Sequence, residues 1–334
     1  MNAARRCFVR AAQVEQHAVV PGDRDDEHVG DNGSVGHSLS GLLCYNRSMV
    51  FYKYAGKFKF GIKILEDLRL KITPPNEFND PFELTPRSKF TMTRHDMISR
   101  AKTDPEYYRS TFEDMKNDGY SQKFEQFIAM FPTITPQMFK HYRKLMREQL
   151  VKLDMKSLNE ASQKLGILCV SKPPNSIPMW SHYADDHRGI AIGLDLPKIG
   201  SNLPGPPFWR VKYRIPRLGV NPWLSPTSPE WLKQVIDTIF VKSRDWIYEQ
   251  EYRRVFRLAD LIHTPPDDKG KRHYFIDING SEIREIIFGC RIDEPDEQRI
   301  KAELNRRPKT FGHVKLFRCK RHDARFELEI VPTD

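Results

Sequence analysis

The 334-residue chain has no stretch approaching the ~20 consecutive apolar residues that a membrane helix needs. Nor does it open on a secretory core, because its first apolar run, Cys7 to Val9, is far too short. The five cysteines (7, 44, 169, 290 and 319) include no CxxC pair. Neither a disulfide framework nor a zinc module is therefore signalled, and a soluble protein of the reducing cytoplasm is expected. GxGxxG, a GK[ST] phosphate loop, GxSxG and HExxH are all lacking, so four common enzyme classes miss their usual signature. Internal repeats are lacking as well.

Residues 1–48 contain no Lys, Ile, Thr or Trp, whereas the remainder uses all four freely. From Pro21 to Ser40 the composition is Gly-, Asp-, His- and Ser-rich, with no apolar period of 2 or 3.6. Such a segment buries too little surface to offset its ordering entropy. The expectation is that Met49 is the functional start and that 1–48 is a disordered extension or a mis-annotated start. A targeting peptide suits Arg5, Arg6 and Arg10 but not the acidic run from Asp23 to Glu27.

What the chain does have is aromatics, 11% of its residues with 20 Phe and 5 Trp, enough for a packed core. It also has 54 Lys and Arg against 44 Asp and Glu, a net charge of +10. A basic surface attracts phosphate-bearing partners, nucleotide or nucleic acid. Scattered as these charges are, they equally describe a merely solvated surface.

Periodicity sets out the rest. Val50–Tyr54 and Leu68–Ile72 read as strands around a short helix starting at Ile62. Pro74-Pro75 ends the second, and Asn76 to Glu83 forms a polar loop. From about 94 to 165 the period turns helical, an insertion whose last helix places Met138, Tyr142, Leu145, Met146, Leu150 and Leu153 on one stripe. Gly166 is placed to cap it. Ile167–Ser171 and Gly189–Asp195 are buried-strand runs, with helical turns over Ile177–Asp186 between them. Residues 200–230 read as a surface loop and Pro229–Val241 as a helix. Glu251–Leu258, His273–Ile278 and Glu285–Gly289 read as strands, Glu294–Arg306 as a helix. Lys315–Arg321 and Phe326–Val331 make a closing hairpin. Strands grouped around one helical insertion predict a single α+β domain over 49–334 with a mixed or antiparallel sheet.

Three clusters could carry chemistry. Asn79-Asp80-Pro81-Phe82-Glu83 presents an amide and two carboxylates from a loop that Pro81 stiffens, or is simply an Asx-turn joining two elements. Met179 to Gly189 carries Trp180, His182 and Tyr183, a wall on which a flat ring could stack. His182 and His187 lie five apart, not at the i, i+4 spacing of a helical metal pair. Lys242 to Arg254 contains Trp246 and Glu249-Gln250-Glu251-Tyr252-Arg253. If extended, it points Glu249, Glu251 and Arg253 to one face, the carboxylates roughly 7 Å apart. Like charges push one pKa up while the arginine holds the other down, a pairing suited to acid–base or cation-stabilising work. A salt-bridge ladder on an edge strand is the plainer alternative. Ile283 to Gly289 is taken as structural.

With these motifs quoted, the chain resembles the DUF2971 family of bacterial proteins of unassigned function. The resemblance runs from about Phe51 to Ile330. It rests on Phe51-Tyr52-Lys53-Tyr54, Phe78 to Glu83, Leu168-Cys169-Val170-Ser171, Met179 to Ala184, Gly189 to Asp195, Trp246 to Arg253 and Ile286-Ile287-Phe288-Gly289. A more distant likeness is to ADP-ribosyltransferase folds, which carry a basic position on an early strand, a Ser or aromatic in the middle and a Glu-x-Glu late. Lys53 with Tyr54, Ser171 with Tyr183, and Glu249-Gln250-Glu251 come in that order. That likeness implies NAD as substrate. Glu251 would stabilise the oxocarbenium-like ribose, as a carboxylate does in glycoside hydrolysis. Glu249 would orient an acceptor, His182 would join them in catalysis, Lys53 and Arg253 would hold the diphosphate, and Trp180 or Tyr183 would stack the nicotinamide. Asn79, Asp80, Glu83, Lys242 and Trp246 would complete the cleft, with no metal. Lys53 departs from the usual Arg or His of the first position.

Two other readings stand beside this one. In Trp209-Arg210-Val211-Lys212-Tyr213-Arg214, basic and aromatic residues interleave, as in a nucleic-acid or nucleotide-binding module without chemistry. Asp80, Glu83, Glu249 and Glu251 around a divalent ion would instead make a nuclease. Either NAD cleavage or nucleic-acid binding would suit a bacterial defence or toxin setting.

Overall fold

A computed structural model describes residues 50–333 except 57, 86, 89–91, 118–120, 141–142, 145–159, 205–206 and 222–227. The proposed extension 1–48 and Tyr142, Leu145, Met146, Leu150 and Leu153 of the helical stripe lie outside the described residues. The described residues divide into two compact units. One comprises Asp80–Ala161 and Pro216–Ile239, and the other 50–79, Ser162–Ile215 and 240–333.

The second unit holds the strands. Its elements in chain order are β1 (Val50–Ala55), α1 (Phe58–Asp67), β2 (Arg69–Ile72), β3 (Leu165–Ser171), α2 (Ile177–Tyr183), β4 (Ile190–Asp195), β5 (Trp209–Arg210) and β6 (Lys212–Arg214). There follow β7 (Val241–Ser243), β8 (Glu251–Arg257), β9 (Ile262–His263), β10 (Tyr274–Asp277), β11 (Ile283–Phe288), α3 (Glu294–Arg306), β12 (Lys315–Arg321) and β13 (Leu328–Pro332). Eight strands form one sheet in the order β13-β12-β11-β4-β1-β3-β8-β5. Only β11 and β12 among these neighbours run parallel. The fold class is α+β, as the grouping of strands predicts.

Both faces of this sheet are covered, and the strand period shows why. Along β1, Phe51 and Ala55 face a core shared with Leu168, Val170, Ile192 and Leu194, closed by Ile62 and Leu65 of α1 and Ile300 and Leu304 of α3. Tyr52 and Tyr54 face the other side, with Ala191, Ile287 and Cys319 under Met179 and Trp180 of α2. A strand covered on both faces reads as a continuous apolar run, and every residue of β4 is buried. Each fully buried Leu, Ile or Phe contributes about 1.5–3 kcal/mol.

The first unit is mainly helical in its described part, with helices at Arg94–Thr103, Arg109–Asn117, Phe124–Ala129 and Pro229–Phe240. Its own core gathers Met97, Ala101, Tyr108, Phe112, Phe124, Phe127 and Phe131. Met138, placed by the sequence on a buried stripe, is half exposed.

Three local expectations are corrected. Gly166 is no helix cap but lies within β3, where a Cβ would meet Ile72 Cγ2 at 2.5 Å and Leu258 Cδ2 at 2.7 Å. Leu68 takes a left-handed conformation (φ 51°), so β2 begins one residue later than its alternation suggests. The stretch read as a loop over 200–230 contains β5, β6 and a further pair of strand residues, Gly219–Val220. Among the described residues no helix is long and apolar enough to cross a membrane.

Candidate active site

The third cluster folds around a change of direction. Ser243 Oγ accepts the Asp245 N–H and starts a 3-10 turn over Arg244–Glu249. Gln250 ends it in a left-handed conformation (φ 41°, ψ 53°), and β8 begins at Glu251. Glu249 is therefore not on the strand, and the argument from a period of two fails for it. The two carboxylates meet for another reason. Lys242, buried on β7, donates to Glu249 Oε2 at 2.7 Å and has its Nζ 3.5 Å from Glu251 Oε2.

Each carboxylate has a second anchor. Tyr183 at the end of α2 donates to Glu249 Oε1 at 2.7 Å, and Asn79 Nδ2 donates to that tyrosine oxygen at 3.3 Å. Arg253, two residues along β8 from Glu251, donates through Nε to Oε1 and through a terminal nitrogen to Oε2, both at 2.8 Å. This bidentate fork fixes the carboxylate plane. The backbone N–H of Glu251 donates to Tyr213 Oη at 2.9 Å. Glu249 and Glu251 are 2% and 4% exposed, so they are not a ladder on an exposed edge.

Burial pushes the Glu251 carboxyl up to about 7, against the pull of Lys242. The neighbouring Glu249 charge and a hydrogen bond between the two carboxyl groups add to the rise. Burial pulls the Lys242 ammonium down, but Glu251 and Glu249 outweigh it and hold it above its ordinary value.

An opening in the sheet lies beside this pair. β1 runs in register with β4 over six residue pairs, but with β3 at a single pair, Tyr52 with Ser171. Further along the same side of β3, Ile167 pairs with Thr73, which follows β2. Between these two points the carbonyl of Cys169 accepts a hydrogen bond from Lys53 Nζ at 3.1 Å. A side chain thus takes the place of a strand partner, which a buried carbonyl requires. The cavity over this gap has a volume of about 330 Å³, at the small end for ligand sites.

Of the residues singled out by sequence, Glu249, Glu251, Lys242 and Tyr183 line the cavity. So do Lys53, Tyr54, Ser171 and Asn79. Four others do not. Trp180 has no exposed surface and donates Nε1–H to the Pro174 carbonyl, so its face is packed rather than offered to a ring. Arg253 is likewise wholly buried, its fork spent on Glu251 rather than open to a diphosphate. His182 is exposed, its ring 6.4 Å from Trp246 and 6.2 Å from Tyr248. Trp246 covers the Lys242 ammonium at 4.7 Å instead of lining the cavity. Asp80 and Glu83 belong to the helical unit, where both are buried and Asp80 Oδ1 accepts the Phe82 N–H in an Asx-turn.

Sequence reasoning assigned no role to Tyr52, Cys169, Thr73 or Phe78, which also line the cavity. Cys169 pairs with Arg253 across β3 and β8, and its thiol hydrogen-bonds Glu251, a contact only the strand register reveals. Burial raises that thiol well above its ordinary value. Among the described residues, no three His, Cys, Asp or Glu side chains group as a metal site.

Residues 179–254 match the family model DUF2971, described as a protein of unknown function. Over this segment the chain is similar to DUF2971. The matched segment carries α2 with Tyr183, the ribbon with Lys242, and the Glu249-to-Arg253 run. The other motifs of the resemblance, from Phe51–Tyr54 to Ile286–Gly289, lie outside it. No curated protein and no solved structure matches the chain.

Proposed function

We propose that this protein is an enzyme that breaks the nicotinamide–ribose bond of NAD, with Glu251 and Glu249 as its working carboxylates. The observation that carries this reading is a buried carboxyl pair, bridged by one lysine, on the wall of a ligand-sized cavity. Loss of nicotinamide leaves positive charge on the ribose ring. A carboxylate fixed in a low-dielectric site stabilises such a cation far better than water does. Arg253 acts here as a positioning residue for Glu251. The Tyr183 hydroxyl, held between Asn79 and Glu249, is placed to orient a ribose hydroxyl or an acceptor. His182 and Trp180 take no part. Incubation of the full chain with NAD tests the reading. Nicotinamide release that Glu249→Gln reduces at least tenfold is expected, and unaltered NAD with no thermal stabilisation of the protein would contradict it.

A second reading, phosphate binding without chemistry, has one observation in its favour. Arg210, Lys212 and Arg214 are all exposed, at alternate positions along β5 and β6. The rings between them turn inward, Trp209 onto Phe240 at 5.0 Å and Tyr213 toward Glu251. This stripe suits phosphates rather than stacked bases. Three contacts would give a salt slope of about 2–3 in log K for nucleic acid, and salt-independent retention would remove the reading.

A further inference from the structure

The gap between β1 and β3 places one lysine in an unusual position. An ammonium carries three protons and calls for three acceptors. Lys53 Nζ has one acceptor, the neutral Cys169 carbonyl, and no carboxylate within ion-pairing distance among the described residues. The other cavity lysine, Lys242, has both glutamates. Lys53 is partly buried, and a partly desolvated ammonium without a counter-charge is disfavoured relative to the neutral amine.

We infer that Lys53 is a nucleophilic amine that condenses with the carbonyl carbon of a small aldehyde or ketone entering the cleft. Position supports this in three ways. The side chain lines the cavity, so a ligand can reach it. Its hydrogen bond to Cys169 fixes the nitrogen at the gap in the sheet. Glu251, whose carboxyl is pushed up by burial, lines the same cavity and can donate and take back a proton. The charged and titratable groups acting on Lys53 are Cys169 and Glu251, which favour its charged form, and Lys71, which opposes it. Burial outweighs them and holds the amine below its ordinary value. Lysines in such surroundings are the ones that form Schiff bases.

The step balances without an oxidant or reductant. The Nζ lone pair forms a C–N bond to the carbonyl carbon, and the C=O π pair moves to oxygen, which takes one of the protons that the now positively charged nitrogen releases. The carbinolamine then loses its hydroxyl as water, protonated by the Glu251 carboxyl, and an amine proton returns to that carboxylate. An imine to Lys53 and one water remain. The inference does not depend on NAD cleavage.

The test is aldehyde labelling of the full chain with pyridoxal, trapped by borohydride and mapped by peptide mass spectrometry. The exposed Lys63, Lys198 and Lys233 serve as internal references. At pH 7.5, Lys53 should label several-fold faster than these references, because a lowered amine pKa raises the neutral, nucleophilic fraction. Its advantage over the reference lysines should shrink as the pH is raised. Lys53→Arg, which keeps a donor for Cys169, should abolish the fast adduct alone. A Lys53 that stays unlabelled, or labels no faster than the references, overturns the inference.

Discussion

Arg253 has no exposed surface, and both of its fork nitrogens face Glu251. Removing one partner of such a pair leaves a buried charge without compensation, which costs roughly 3–5 kcal/mol, whereas removing both is far milder. Arg253→Met should therefore lower unfolding free energy in denaturant by about that amount. Arg253→Met with Glu251→Leu should recover most of it, and equal losses in the single and double variants would contradict the pairing. The raised Glu251 carboxyl makes a second prediction at the same scale. The folded protein keeps a proton there up to about 7, while the unfolded chain releases it near the ordinary 4.5. Between those values the native state binds more protons, so stability from this group falls as pH rises, by at most about 1.4 kcal/mol per unit. Glu251→Gln should flatten that part of the denaturant midpoint between pH 5 and 7. A slope unchanged in the variant would assign the titration elsewhere.

The elements show what patterning can and cannot reveal. β1 was legible from its β-branched and aromatic content, and β4 from a short, continuous apolar run suited to a buried strand. The Glu249–Glu251 meeting was legible in its outcome but not in its cause, since nothing in Tyr-Glu-Gln-Glu announces a left-handed Gln250. Likewise the alternation of Trp209 to Arg214 was visible, but which set turns inward depends on Phe240 and Glu251. The Gly of Ile286-Ile287-Phe288-Gly289 has a reason that only packing supplies. A Cβ on Gly289 would stand 2.1 Å from the His187 carbonyl oxygen and 2.9 Å from that of Gly189. Those atoms are backbone, in a turn where Asp185, Asp186 and His187 all have positive φ. Gly289→Ala should thus cost about 1–3 kcal/mol by overpacking, measured by thermal or denaturant unfolding. A neutral result would show that the turn after α2 yields freely.

At the scale of the molecule, fold class followed from strands grouped around a helical stretch, because composition and period are distributed signals. The cleft was less legible because it depends on an absence, the missing pairs between β1 and β3, which no local pattern encodes. Its chemistry rests on four charged side chains drawn from β1, β7, β8 and the turn before β8, within the unit that holds the large sheet. The most direct measurement is nicotinamide release from NAD by the full chain beside Glu251→Gln, both checked for folding by circular dichroism. The account predicts release by the wild type and a loss of about a hundredfold or more in the variant, the scale of one removed electrostatic stabiliser. Release that persists in a folded Glu251→Gln, or none from the wild type, would contradict it.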